Sequence, residues 1–416
     1  MKESNVEWVG QIPDSWRIER LQWHLSEIKE SNNPVQTEQI LSLTNKLGVI
    51  PYEEKGAQGN KSKTNVAEYK LAYPNTIVAN SMNILIGSVG ISDYFGCVSP
   101  VYYVFKADSG SNIQYINYIF QTTGFQRELR KFANGILEIR LRVSADSILK
   151  RTVPFPPEDE QKKIVDFLNE KCIKLDGIFA KIAEQIEILI RYKHSIITET
   201  VFGKNIKHEE KKNSAIEWIG DIPESYCISR IKYEIEPLNR MVKEDDEIIT
   251  CFRDGEVTLR KKRREDGFTV SFTEHGYQGV EKGDLVIHGM DAFAGSIGCS
   301  DCRGKTTPVV HVCKTTGNNR YFMYFLRSMA YNNVFQDFSY GIRIRSSDFR
   351  NFARLGELPI VVPDIEEQNR IVNFLDEQCL IIDSLIEKKK NQMDIVSEYK
   401  ESLIYEYVTG KKEVPA

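Results

Sequence analysis

Long apolar runs are missing from this 416-residue chain: none approaches the roughly 18 to 20 consecutive apolar positions that a membrane-crossing helix needs. The opening MKESNVEWVG has no apolar centre of the kind a secretory signal carries, so a cytoplasmic location and no membrane partner are expected. Cysteine is sparse, with eight at positions 97, 172, 227, 251, 299, 302, 313 and 379, too few for a disulfide scaffold. They read as small buried thiols. Catalytic signatures are missing as well: there is no nucleophile elbow, no His-Glu-x-x-His helix and no methyltransferase-type Asn-Pro-Pro-aromatic stretch. The net charge of −4 argues against an all-over basic coat but leaves room for a local basic face.

What is present is a duplication. VEWVGQIPDSWRIERLQWH at 6–24 returns as IEWIGDIPESYCISRIKYE at 216–234. NSMNILIGSVG at 80–90 returns as HGMDAFAGSIG at 288–298, SPVYYVF at 99–105 as TPVVHVC at 307–313, and PPEDEQKKIVDFLNEKC at 156–172 as PDIEEQNRIVNFLDEQC at 363–379. The offset drifts only between 206 and 210, which means two whole halves with small loop insertions, a period far too long for a solenoid. Each half has an opening segment, a mixed region with Gly, Asn and Pro between short β-branched runs, and a helical tail. The expected fold is α+β, divided at 1–155, 156–208, 209–362 and 363–416.

The tails carry a heptad. Leu168, Cys172, Leu175, Phe179, Ile182, Ile186 and Leu189 step by four and three in turn, as do Leu375, Cys379, Ile382, Ile386, Lys389, Met393, Val396, Lys400 and Leu403, an apolar seam interrupted by two lysines. Pro156, Pro157 and Pro363 precede the tails, and Gly203 and Gly410 follow them. A narrow seam of this kind suits a partner helix, so two rods of about 38 residues and roughly 57 Å are expected to pack antiparallel and hold the mixed domains apart.

Candidate chemistry falls away on inspection. GCSDCRGKT at 298–306 places five residues between Gly298 and Gly304 where a phosphate loop needs four. Cys299 and Cys302 are spaced as a metal pair with His311 and Cys313 downstream, yet the first half offers only Cys97, so no metal is expected. Asp14, Glu27 and Lys29 have a nuclease-like pattern that the second half lacks, and surface charge is the plainer reading. No catalytic residue is expected. The outstanding stretch is RDGEVTLRKKRRE at 253–265, with Arg253, Arg260, Lys261, Lys262, Arg263 and Arg264, followed by Gln278. Lysines neutralise phosphates, arginine forks fit guanine edges and amides fit adenine; ordinary solvated charge is the alternative. In the first half the comparable residues are Lys61, Lys63 and Asn80, and each half carries arginines before its tail, Arg140 and Arg142 in one, Arg343 and Arg345 in the other. Two unlike readers on one rigid frame suit two unlike words on one duplex, because engagement of the second becomes intramolecular.

These residues together resemble a known family. EWVGQIPDSW and EWIGDIPESY, PPEDEQKKIVDFL and PDIEEQNRIVNFL, and the closing YEYVTGK resemble the specificity subunit of type I restriction-modification systems along essentially the whole chain. The resemblance implies two target-recognition domains separated by two helices in an antiparallel coiled coil, reading a split, asymmetric sequence in double-stranded DNA. It further implies two modification subunits that methylate adenine with S-adenosylmethionine, and restriction subunits that use ATP and Mg. No cofactor is expected in this chain itself. The alternative is a coiled-coil scaffold or adaptor that does not read DNA.

Overall fold

The computed structural model describes residues 1–44, 48–55, 65–134, 141–206, 210–263, 275–337 and 349–415. They form two compact units, Met1–Ala183 with Asn391–Ala416, and Glu184–Lys390. The division cuts through both long helices, Glu158–Val201 and Ile365–Val408, so each unit holds the beginning of one and the end of the other.

In the first unit an antiparallel sheet runs in the order Leu25–Ile28, Tyr102–Ala107, Thr76–Asn80, Val89–Ser92. Successive side chains of a strand face opposite ways. Ile77, Ala79 and Phe105 therefore enter the main core, while Val78 and Val104 enter a smaller one under the hairpin of Leu41–Thr44 and Gly48–Pro51. The main core is closed by helix Ile113–Gln121, which buries Ile113, Tyr115, Ile116, Ile119 and Phe120 along one face and is capped by Asn112. The second unit repeats the plan with the order Ile235–Pro237, Val310–Thr315, Leu285–His288, Ile297–Cys299. Val78 lies opposite Val104, and 208 positions later Val286 lies opposite Val312. The halves match strand for strand.

The long helices are the expected tails, and at 44 residues each they exceed the expected 38. The extra length lies at the start, where Gln161, Ile164 and Val165 form a face against the domain rather than a heptad seam. Beyond that point the fourteen apolar seam residues are each buried or half-buried, while the positions between them are mostly exposed. In the first unit Phe167 meets Tyr407 at 4.6 Å and Asp176 binds Lys400 at 2.6 Å, so one helix ascends as the other descends. In the second unit Lys193 binds Asp383 at 2.7 Å, and Thr200 and Ile206 share a hollow with Glu367 and Ile371, again antiparallel.

Each helix is sealed at both ends by the same device used twice. At the start, the Gln161 amide donates to Pro156 O and its oxygen accepts from Asn112 N; Gln368 does the same with Pro363 O and Asn318 N. At the end, the opening segments explain their repetition. Val9, Ile12 and Trp16 pack with Leu403, Tyr407 and Val408, whereas Ile219, Ile222 and Tyr226 pack with Ile197, Val201 and Phe202. Gly410 and Gly203 finish the helices at φ +68° and +66°, pressed against Pro13 and Pro223. A buried tyrosine completes each seal: Tyr115 Oη donates to Pro154 O and Val408 O, and Tyr321 Oη to Val361 O and Val201 O. The segment at 216–234 closes the helix just before it, and the one at 6–24 closes the helix that ends the chain.

Replacing Gly203 by Ala would set a Cβ 2.5 Å from Pro223 Cγ in a left-handed backbone, at an expected cost of about 1–3 kcal/mol. Hydrogen exchange should accelerate in the second unit and leave the first protected, with Gly410→Ala giving the reverse; equal loss in both units by either variant would contradict the separate seals.

Candidate nucleic-acid interface

In the second unit the basic stretch folds as a hairpin, Ile249–Cys251 with Val257–Leu259, followed by a short 3-10 turn at Arg260–Lys262. Its cations are engaged. Lys261 Nζ lies 2.6 Å from Glu247, Lys262 Nζ 3.0 Å from Asp301, and Arg263 Nη1 2.7 Å from Asp254 and 3.1 Å from Glu256. Arg263 also lies over the Phe252 ring at 4.2 Å, Arg260 Nε donates to Thr250 Oγ1 at 3.1 Å, and Arg253 Nη2 reaches Asp291 Oδ1 at 3.0 Å. The hydrogen bond that Lys262 Nζ donates to Asp301 raises the ammonium above its usual range. Asp254 and Glu256 belong to the run itself, whereas Glu247, Asp291 and Asp301 lie outside it and are the residues that sequence reading missed.

Beside the hairpin lies a recess of about 880 Å³ lined by Arg253, Arg260, Arg263, His288, Met290 and Thr307, among others. His288 Nδ1 accepts from the backbone N–H of Met290 and Asp291 and so fixes the turn that carries Asp291. Burial pushes the His288 ring below its ordinary value, in keeping with a neutral acceptor. In the first unit Asn80 takes the place of His288: its Oδ1 accepts from Met82 N, and Arg142 Nη2 lies 3.8 Å from Met82 Sδ. Gln278 is half-buried and donates to Val310 O at 2.8 Å. Asn80 and Gln278 thus bond to backbone in this structure. Lys61, Lys63, Arg140, Arg264, Arg343 and Arg345 lie outside the described residues.

The first-unit hairpin is also followed by a 3-10 turn, Tyr52–Lys55, and the shared offset of 208 sets Tyr-Glu-Glu-Lys there against Arg-Lys-Lys-Arg at 260–263. One frame carries opposite charge.

A second matched feature lies against the long helices within each unit. In the first, Tyr118 Oη donates to Asn169 Oδ1 at 2.7 Å beside Cys172, Ile173 and the Lys400–Asp176 pair, lining a cleft of about 300 Å³. In the second, Tyr324 Oη donates to Asp376 Oδ1 at 2.7 Å beside Cys379, Leu380 and the Lys193–Asp383 pair, lining about 660 Å³. Ile173 and Leu380 stand 73% and 71% exposed at corresponding places.

Among the described residues no group of three or more His, Cys, Asp or Glu side chains is placed to hold a metal ion. Cys299 and Cys302 are half-buried and Cys227 is exposed, in contrast to the buried thiols expected from the sequence. Asp14 receives the chain's amino terminus at 3.1 Å, and Glu27 lies near Lys29 and Lys70. No described helix is long and apolar enough to cross a membrane.

No family model matches the sequence, and no curated protein matches it. A solved structure from work on complex assembly and conformational transition of the type I R-M system aligns over 97% of this chain and 100% of its own, with a TM-score of 0.68 at 12% identity. The chain has that type I R-M fold. Two further structures align more loosely: the HsdS subunit from Thermoanaerobacter tengcongensis, over 97% and 98% of the two chains at 12% identity and a TM-score of 0.48, and the type I S subunit from M. genitalium, over 96% and 98% at 12% identity and 0.38. The mixed α+β architecture with two long helices agrees with that type I R-M fold.

His194 offers a test of the second unit's packing. Its ring stacks on Tyr331 at 3.6 Å, and burial, then the nearby Arg327 and Lys193, push its pKa down to about 4 from 6.5. The unfolded chain then binds a proton that the folded chain refuses, so the contribution to stability is complete above about pH 6.5 and is lost as the pH falls toward 4. His194→Gln should flatten the pH dependence of the melting temperature in that window; an unchanged slope would show the ring titrates normally.

Proposed function

We propose that this chain is the DNA-reading specificity subunit of a type I restriction-modification complex. Each mixed domain, 1–155 and 209–362, reads one part of a split, asymmetric duplex word, and the helical regions 156–208 and 363–416 join them. The observation that carries the reading is the fold match over nearly the whole chain, reinforced by two identical frames with opposite surface charge at the hairpin turns. Equal frames serve a shared framework, and unequal surfaces serve unlike half-sites. Direct readout needs such divergence, since each base pair presents its own donor and acceptor pattern.

The matched clefts beside the long helices suit a partner present in two copies, which in this reading is the modification subunit. Adenine methylation with S-adenosylmethionine and cleavage with ATP and Mg belong to the modification and restriction subunits, and this chain is non-catalytic and works in the cytoplasm. The competing reading, a scaffold that does not touch DNA, draws support from the carboxylates that already hold Lys261 and Lys262.

Two measurements decide between them. Methylome sequencing of cells with and without the gene should show a bipartite adenine-methylation word that disappears on deletion; an unchanged pattern beside an active modification subunit favours the scaffold. Glu247→Gln with Asp301→Asn should free the two lysines, tighten duplex binding at low salt and steepen the slope of log K against log salt by up to about 0.9 per phosphate newly contacted. If the slope stays put, those lysines never meet the backbone.

A further inference from the structure

Within the basic stretch Arg253 is held differently from its neighbours. It occupies the tip of the hairpin in the second unit, and its side chain is 66% exposed. Among the described residues its guanidinium makes one bond, from Nη2 to Asp291 Oδ1 at 3.0 Å. Arg263, by contrast, is taken by Asp254 and Glu256 and lies flat on Phe252, while Lys261 and Lys262 each sit on a carboxylate. Arg253 is also anchored through its backbone. Gly295, at φ +92°, lets the Arg253 carbonyl approach so closely that a Cβ there would lie 2.7 Å from the oxygen. The turn carrying both Asp291 and Gly295 is fixed in turn by His288, which accepts from Asp291 N at 3.1 Å.

A guanidinium braced on one nitrogen keeps its remaining donors in a fixed plane, and a braced fork loses little side-chain freedom when it binds. The base edge that offers two acceptors to such a fork is guanine, through O6 and N7 in the major groove. A phosphate accepts the same fork but needs no brace and accepts lysine equally well as a charge. We infer that Arg253, braced by Asp291, reads a guanine in the half-site of the second unit; the inference rests on the DNA-reading role proposed above. The first unit has Asn83 where the second has Asp291, so its half-site is read by other means.

The test is selection from a randomised duplex library, followed by sequencing, using the chain co-expressed with the modification subunit. The wild type should return a bipartite word. Arg253→Ala should return that word with one guanine position degenerate in one half only, discrimination there falling about 10- to 100-fold. Arg253→Lys should behave like Arg253→Ala at that position while retaining overall affinity, because the charge remains and the fork does not. Asp291→Asn should weaken the same guanine preference and no other. The inference is overturned if Arg253→Ala keeps every guanine of the word, its loss confined to affinity, which marks a phosphate contact, or if Arg253→Lys keeps the wild-type preference, which shows that the fork does not read the base. A wild type that selects no word at all overturns the DNA-reading role together with it, and that outcome is distinct from the other two. Melting temperatures equal to the wild type's show that the exposed side chain was removed without unfolding the unit.

Discussion

Both long helices stop in a left-handed glycine wedged against a proline, and the rest of the structure is organised around that closure. Gly203 against Pro223 and Gly410 against Pro13 bring each opening segment over the last turn of a helix. Tyr321 and Tyr115 then tie the helix end to the adjacent strand through two carbonyls apiece. Orphan carbonyls at a helix terminus need partners when water is excluded, and here a tyrosine hydroxyl meets one of them in each half. The first unit therefore contains both the beginning and the end of the chain, and its core includes residues from Val9 to Val408.

Upon this shared frame the two units differ where they face solvent. Their sheets agree in strand order and register, and the buried sets agree in kind, with Val78 and Val104 in one small core and Val286 and Val312 in the other. At the turn after the hairpin, the same 3-10 geometry carries Tyr52, Glu53, Glu54 and Lys55 in one unit and Arg260, Lys261, Lys262 and Arg263 in the other. Interior packing tolerates little change in volume, whereas an exposed turn accepts a reversal of sign at small cost. The duplication thus kept what packing demands and released what it does not.

Much of this was legible in the residues. The repeated opening segment revealed two halves, and the 4-3 stepping from Leu168 and Leu375 picked out the positions that the helices bury. The prolines before Glu158 and Ile365 marked the helix starts, but the burial of the first ten residues was not legible, because it follows Gln161, Ile164 and Val165, a domain-facing stripe that a heptad template does not detect. The function of the opening segments was also hidden, since their contacts reach across hundreds of positions, Tyr405 Oη to Trp8 O being one. Local sequence likewise gave no sign that Lys261 and Lys262 are held by Glu247 and Asp301, because those partners meet only once the strands are assembled. Asp291 drew no notice, although the replacement of NSMN by HGMD marks the turn as one of the places where the halves part.

In the DNA-reading role proposed above, the ion pairs along the hairpin turn carry a kinetic consequence. A lysine already seated on a carboxylate gains little from an arbitrary phosphate, because one favourable contact is exchanged for another and fewer counterions are set free. Sojourns on unrelated DNA become brief, and release is quick. At the correct word, contacts to the bases add what the backbone withholds, so the same restraint that weakens casual attachment widens the gap between target and genome.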